Sequence, residues 1–378
     1  MSTNWKFTNC KEKPLLLFSS LDWGLGHTTR SIPLLKEFLN YGCNLIVACN
    51  SIQKEILQPE LQGAVFVDLE GYGLIYGHTG WGTRLKLIFQ LRKILTRIKK
   101  ENDWLNSFIN KNEVDALISD NRYGFYHPGI PSVFITHQLF VETGYGSFFN
   151  KISQKFLYKY INRFSECWVP DFKKNNSLAG KLSQPKINLA VPVKYLGALS
   201  RFEKCDQTTE KKFDLLIMLS GPEPQRTILE KLMLKQSQRV EIKIALVRGL
   251  PAESEELHNG QVKIFNHLKA DQLNNLICAS EMVICRSGYT TIMDLVKLKK
   301  KMIVIPTPGQ PEQEYLAEHL SQNNLAVIVK QKKFSLPHAM EVAGNFTFTH
   351  IDTNMNEYKI VIKEFVEKIS SLSPSSMC

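Results

Sequence analysis

Residues 285–320, CRSGYTTIMDLVKLKKKMIVIPTPGQPEQEYLAEHL, restrict this chain more than any other stretch. Residues 282–285 read as a short apolar strand, which Arg286, Ser287 and Gly288 turn sharply into a helix whose first turn carries Tyr289, Thr290 and Thr291. The N–H groups and dipole of such a helix start favour a phosphate. Asp294 lies two turns in, within reach of a pair of ribose hydroxyls. A second strand, 302–305, stops at the stiff loop Pro306, Thr307, Pro308, Gly309. Gln310 then leads into a helix beginning at Pro311, so Glu312, Gln313 and Glu314 offer polar groups suited to sugar hydroxyls. An acidic side chain and two helix starts at the ends of adjacent strands are how an open α/β sheet holds a nucleotide. The run predicts half of a nucleotide-sugar site.

The amino-terminal strand, 14–20, leads through Asp22, Trp23, Gly24, Leu25, Gly26 and His27 into a helix beginning near Thr28. As a dinucleotide fingerprint this turn fails: Thr29 stands where a third Gly belongs, and the next strand, 44–50, ends without an acid for a ribose. No nicotinamide cofactor is expected. The glycines do permit close backbone approach beside a helix start, with the His27 imidazole at the rim. Asp120, Asn121, Arg122 and Tyr123 follow the strand 114–119, and Thr136, His137 and Gln138 follow the next one. In a parallel sheet these ends converge on the face that bears His27. Further on, Ser220, Gly221 and Arg226 belong to a strand-to-helix bridge that resembles a phosphate loop but lacks the GK[ST] of a Walker motif. No DxD occurs, so a metal-dependent mode has no obvious ligand pair and none is expected.

These segments resemble the donor-site signature of GT-B glycosyltransferases, in the family 28-like branch that includes the lipid-linked N-acetylglucosaminyltransferase of peptidoglycan synthesis. The resemblance implies an α/β fold of two Rossmann-like domains facing across a cleft, with a C-terminal helix crossing back to the first. It puts Asp294 where the family has a Glu on the ribose, and Gln313 and Glu314 where a polar pair contacts the donor sugar. Arg201, in LGALSR, matches an arginine near the phosphates, and Leu268 closes the strand end that frames a uracil. The Gly26-His27 turn matches a loop facing the donor diphosphate and the acceptor hydroxyl. His137 and Gln138 match a His and an acid lining the cleft, although Gln138 is no acid. Metal-independent hexosyl transfer from a UDP-linked sugar is implied, with His27 as general base and Asp120 fixing its tautomer. The acceptor would be lipid-linked or membrane-associated. A nucleotide-sugar 2-epimerase and a non-catalytic nucleotide-sugar-binding partner subunit share the fold and remain alternatives.

With 378 residues, 43% hydrophobic and 22% charged, the chain is long enough for two domains of about 150 to 200 residues each. The expected division is 1–197, 198–350 and a crossing helix with its tail at 351–378. Strands are expected near 14–20, 44–49, 64–68, 114–119, 131–135 and 166–169, and again near 213–219, 241–247, 262–265, 282–285, 302–305 and 325–329. Residues 171–192 read as a looser segment and 194–201 as the link. The polar start has no signal-like apolar core, and no apolar run of membrane-spanning length occurs. Eight cysteines, with no CxxC or Cys/His cluster, suit free thiols in a reducing cytoplasm.

Residues 1–200 carry 24 Lys+Arg against 15 Asp+Glu, whereas residues 201–378 carry 23 against 21. Much of the excess lies in 81–100, which has no acid, and in 148–164, where Lys151, Lys155, Lys159 and Arg163 recur every fourth residue beside an apolar stripe of Ile152, Phe156, Tyr160 and Phe164. A core-facing helix with a solvated basic back explains each. The sharper expectation is contact with an anionic membrane surface, peripheral on its inner face. No nucleic-acid module accompanies the charge.

Overall fold

The computed structural model describes residues 13–22, 24–73, 80–144, 146–184, 187–206, 208–250 and 257–372. The first domain runs β1 (Leu15–Ser20), α1 (Gly26–Asn40), β2 (Asn44–Cys49), α2 (Ser51–Leu57), β3 (Val65–Asp68), α3 (Gly80–Ile109), β4 (Ala116–Asp120), β5 (Ser132–Ile135), α4 (Ser147–Ile161), β6 (Glu166–Val169) and β7 (Val193–Tyr195). The second runs β8 (Phe213–Met218), α5 (Gln225–Ser237), β9 (Ile244–Val247), β10 (Leu257–Asn259), β11 (Val262–Phe265), α6 (Ala270–Cys278), β12 (Ser280–Cys285), α7 (Tyr289–Lys297), β13 (Lys301–Val304), α8 (Pro311–Gln322), β14 (Val327–Ile328) and α9 (Leu336–Gly344), before α10 (Glu357–Leu372).

Strands that are apolar on both faces belong in parallel sheets covered by helices on both sides. Leu16, Leu17 and Phe18 of β1 and Leu45, Ile46 and Val47 of β2 are accordingly buried. The sheets are ordered β3-β2-β1-β4-β5-β6-β7 and β10-β11-β9-β8-β12-β13-β14. All neighbours are parallel except β10 with β11. The order reverses between β1 and β4 and between β8 and β12, and such switch points open the crevices in which these sheets bind ligands. Ser20 pairs with Asp120 and Met218 with Cys285, so each crevice is flanked by the two turns that the sequence singled out.

The last helix returns to the first domain. Tyr358, Ile362, Phe365, Val366 and Ile369 form its buried stripe. The Phe365 ring meets Trp168 edge-on at 5.2 Å, and Lys368 Nζ reaches Glu166 Oε1 at 2.8 Å.

Three expectations need correction. Residues 193–195 are edge strand β7, paired parallel with β6, and not part of the link. Strand β10 has no counterpart among the expected strands. The expectation of free thiols also fails at one pair: Cys205, ahead of β8, and Cys278, at the end of α6, form a disulfide across 73 residues, a proximity that tertiary folding alone creates. Cys43, Cys49, Cys167 and Cys285 are free and buried. Among the described residues no helix is long and apolar enough to cross a membrane.

Candidate active site in the interdomain cleft

The two switch points face each other. Helix α1 begins after Leu25 and α7 after Gly288, and no side chain caps either start. Thr290 Oγ1 donates to the Gly26 carbonyl at 3.2 Å across the cleft. A Cβ on Gly26 would stand 2.8 Å from that hydroxyl, so glycine here is what lets the helix starts meet. Two opposed helix N-termini make a site for anionic groups.

His27 occupies the first turn of α1, and its Nδ1 lies 2.8 Å from Asp120 Oδ1. Asp120 is fully buried and is gripped on both oxygens by Arg30, with Nε at 2.8 Å from Oδ2. Burial raises the Asp120 pKa, but Arg30 and His27 outweigh it and hold the carboxyl below the usual carboxylate range. Burial, reinforced by Arg30, lowers the His27 pKa below the ordinary imidazole value despite Asp120. At neutral pH the ring is therefore neutral, donates Nδ1–H to Asp120 and keeps the Nε2 lone pair for a proton. Asn121 sits at the same rim, with Nδ2 3.4 Å from His27 Nδ1.

The chain of contacts continues into the other domain. Arg30 Nη1 lies 3.2 Å from His137 Nδ1, and His137 Nε2 lies 2.8 Å from Glu312 Oε1 at the start of α8. Burial raises the Glu312 pKa, but His137, with smaller effects from His27 and Gln138, brings it below the ordinary value. The carboxylate that Gln138 does not supply thus comes from the second domain. Sequence reasoning missed Arg30 and placed Glu312 only among sugar contacts. The spacing of Arg30 three residues after His27, on one helix face, was the available signal.

On the donor side, Asp294 is pushed up to about 6 by burial, against the opposing pull of Ser200, Arg201 and Lys297. Arg201, at the end of the link, is half-buried, and burial lowers its pKa against the opposing pull of Asp294. Burial, and then Arg201, lower the pKa of His267, beside Leu268 at the end of β11. It falls within 265–268, the strand end that the sequence singled out for a uracil. Ser220 and Gly221 are exposed at the end of β8.

Several expected ligand contacts are committed elsewhere. Arg286 is buried and donates to the carbonyls of Ile305, Pro306 and Gln225, so it knits loops together where a phosphate contact was expected. Arg226 pairs with Glu223 and Glu230 inside its own helix region. Arg122, expected on the acceptor side, is buried against Glu101 and the Glu70 carbonyl beneath the cleft floor. Tyr289 donates its hydroxyl to the Pro170 carbonyl and stacks on His137, clamping the domains. Ser287 Oγ donates to the Gln313 carbonyl, while the Gln313 and Glu314 side chains accept from the N–H groups of Thr307 and Gly309. That pair therefore shapes the loop that Gln310 ends.

The basic segments also divide. Side chains of 80–91, which include Arg84 and Lys86, lie outside the described residues, as does Trp23. In 92–100, Arg97 pairs with Glu70 and Lys93 donates to the Gly73 carbonyl, while Ile98 is buried. Helix α4 instead exposes Phe148, Phe149, Ile152 and Phe156 beside Lys151, Lys155 and Lys159. Only Tyr160 and Phe164 of its expected apolar stripe are buried.

Residues 225–372 match the Glycosyltransferase family 28 C-terminal domain. An uncharacterized glycosyltransferase of Methanopyrus kandleri is 35% identical over 65 residues, 17% of this chain and 19% of that protein, so the chain spans less than a fifth of that relative. The UDP-N-acetylglucosamine--N-acetylmuramyl-(pentapeptide) pyrophosphoryl-undecaprenol N-acetylglucosamine transferase of Bacillus subtilis is 22% identical over 378 residues, covering 92% of each chain. Among solved structures, the glycotransferase of kitacinnamycin superposes with a TM-score of 0.61 at 13% identity, over 95% of this chain and 96% of that one.

Proposed function

As a GT-B chain whose second domain is of the family 28 glycosyltransferase kind, this protein is, we propose, a transferase that moves a hexosyl group from a UDP-linked sugar to an acceptor hydroxyl. One observation carries the reading: a neutral His27, oriented by buried Asp120, stands beside two opposed helix starts that no side chain caps. His27 Nε2 takes the proton of the acceptor hydroxyl while its oxygen bonds to the anomeric carbon. The bond from that carbon to the diphosphate breaks, and its electron pair leaves on the diphosphate oxygen. The helix N-termini stabilise that charge with dipoles already in place, and the chemistry calls on no metal. Asp294 accepts from the ribose hydroxyls, with Arg201 beside the phosphates. The exposed apolar and basic face of α4 matches an anionic bilayer in charge, which favours a lipid-linked acceptor and a peripheral membrane enzyme.

A thermal-shift screen of UDP-, GDP- and TDP-sugars tests the donor, because a ligand that binds only the folded state raises stability by RT ln(1 + [L]/Kd). Stabilisation by UDP-sugars above the others is expected. Product analysis with the labelled donor then separates transfer from 2-epimerisation and from binding without turnover.

A further inference from the structure

Of the three polar residues opening α8, Glu312 alone is bonded across the cleft. Gln313 and Glu314 turn back on their own loop, whereas the Glu312 carboxylate sits 2.8 Å from His137 Nε2. The other ring nitrogen of His137 faces Arg30 Nη1 at 3.2 Å. A guanidinium nitrogen only donates. His137 Nδ1 is therefore the acceptor, and the single ring proton sits on Nε2, aimed at Glu312. The same ring is stacked on Tyr289, with centroids 4.2 Å apart and planes inclined by 8°. Both contacts come from helix starts of the second domain. Arg30, held by His137 on one nitrogen, spends the others on both oxygens of Asp120, which orients His27.

On the reading of His27 as the base, we infer that Glu312 is a positioning residue. By docking on His137 across the cleft, it completes the chain Glu312–His137–Arg30–Asp120–His27 and holds the base in register for proton removal. Its carboxylate lies one domain away from the ring it orders, so both domains together assemble the base. A plain cross-domain link would hold the cleft together without touching the His27 ring. The groups facing that ring are Asp120, hydrogen-bonded to it, then Arg30 on the far side of Asp120, with the neutral His137 and the Glu312 carboxylate beyond.

The test uses the full-length protein labelled with ¹⁵N-histidine, following ring nitrogens through a pH titration in wild type, Glu312→Ala and Glu312→Gln. The Glu312 side chain is 38% exposed, so truncation leaves the fold intact. Wild type should show one tautomer each, Nδ1–H for His27 and Nε2–H for His137. Glu312→Ala should turn His27 into a mixture and move its titration midpoint, while Glu312→Gln, which retains an acceptor oxygen, restores the single tautomer. A His27 spectrum and midpoint unchanged in Glu312→Ala overturn the inference. In parallel, UDP release from UDP-N-acetylglucosamine and UDP-glucose should fall about 10-fold or more in kcat, the scale on which small misplacements act, with KM unchanged. A raised KM at unchanged kcat makes Glu312 a donor contact and also overturns the inference. If neither UDP-sugar stabilises the wild type in the thermal-shift screen, the donor reading fails and the ring spectra still decide the role of Glu312.

Discussion

Asp120→Asn separates what the buried carboxylate does for the fold from what it does for His27. Arg30 is 2% exposed and Asp120 0%, so the substitution leaves a buried guanidinium without its counter-charge. Removing one partner of such a pair costs about 3–5 kcal/mol. Asn keeps one acceptor oxygen, which places the loss near 3 kcal/mol, a large part of a domain's total stability. For a domain of this size that loss lowers Tm by roughly 6–12 °C. All five tryptophans lie in residues 1–200, so urea unfolding followed by tryptophan fluorescence reports the first domain. Adding Arg30→Met removes the stranded charge, and the double variant should regain about 1–2 kcal/mol over Asp120→Asn alone. Activity should not return with stability, because His27 still lacks the carboxylate. A loss below about 1 kcal/mol for Asp120→Asn, or simple additivity in the double variant, refutes the account of Arg30 and Asp120 as one buried unit.

His27→Ala should lower single-turnover transfer by about 10²- to 10⁴-fold, the worth of a general base, with donor affinity unchanged by calorimetry; an intact chemical rate places the base elsewhere, His137 first. Asp294, raised to about 6, is protonated below that pH and cannot then accept from both ribose hydroxyls. UDP affinity should accordingly fall as pH drops through 6, and this limb should vanish in Asp294→Asn. The sign for the free protein is opposite: a raised carboxyl pKa contributes stability that is present below its unfolded value and lost as pH rises through 6. Reversing Lys151, Lys155 and Lys159 to Glu should weaken binding to anionic liposomes by about 1 kcal/mol per charge, and wild type that ignores anionic vesicles at low salt removes the membrane reading. Phe365→Ala should destabilise the first domain by about 3–5 kcal/mol in the same fluorescence assay, since that ring packs on Trp168 and Phe38.

Periodicity and turn chemistry carried the fold. Apolar runs such as LLLF in β1 and MVIC in β12 have few other uses, and the turns after them announce switch points. The contact of His27 with Asp120 was legible for the same reason, because parallel register puts strand ends side by side. Arginines were not legible. A guanidinium at a strand end looks alike in sequence whether it faces a phosphate or a ring of carbonyls, and Arg286, Arg226 and Arg122 all turned inward. The disulfide and the Glu312–His137 contact join residues 73 and 175 apart, and neither spacing leaves a local trace.

The placement of charge follows from this division of labour. The first domain holds a neutral imidazole whose usefulness depends on a carboxylate kept ionised in a dry interior, and only a buried arginine makes that ionisation tolerable there. Arg30 in turn has more donors than one carboxylate satisfies, so a neutral acceptor must stand on its far side, and His137 fills that place. A histidine serves only in one tautomer, which the second domain enforces through Glu312. Each polar group in the line thus creates a demand that the next one meets, and the last demand is met from the second domain. The opposed helix starts, joined by Thr290 and Gly26, bridge the same two domains. On the proposed reading, the groups that activate the nucleophile and those that stabilise the leaving group are thus bridged by contacts between the same two domains.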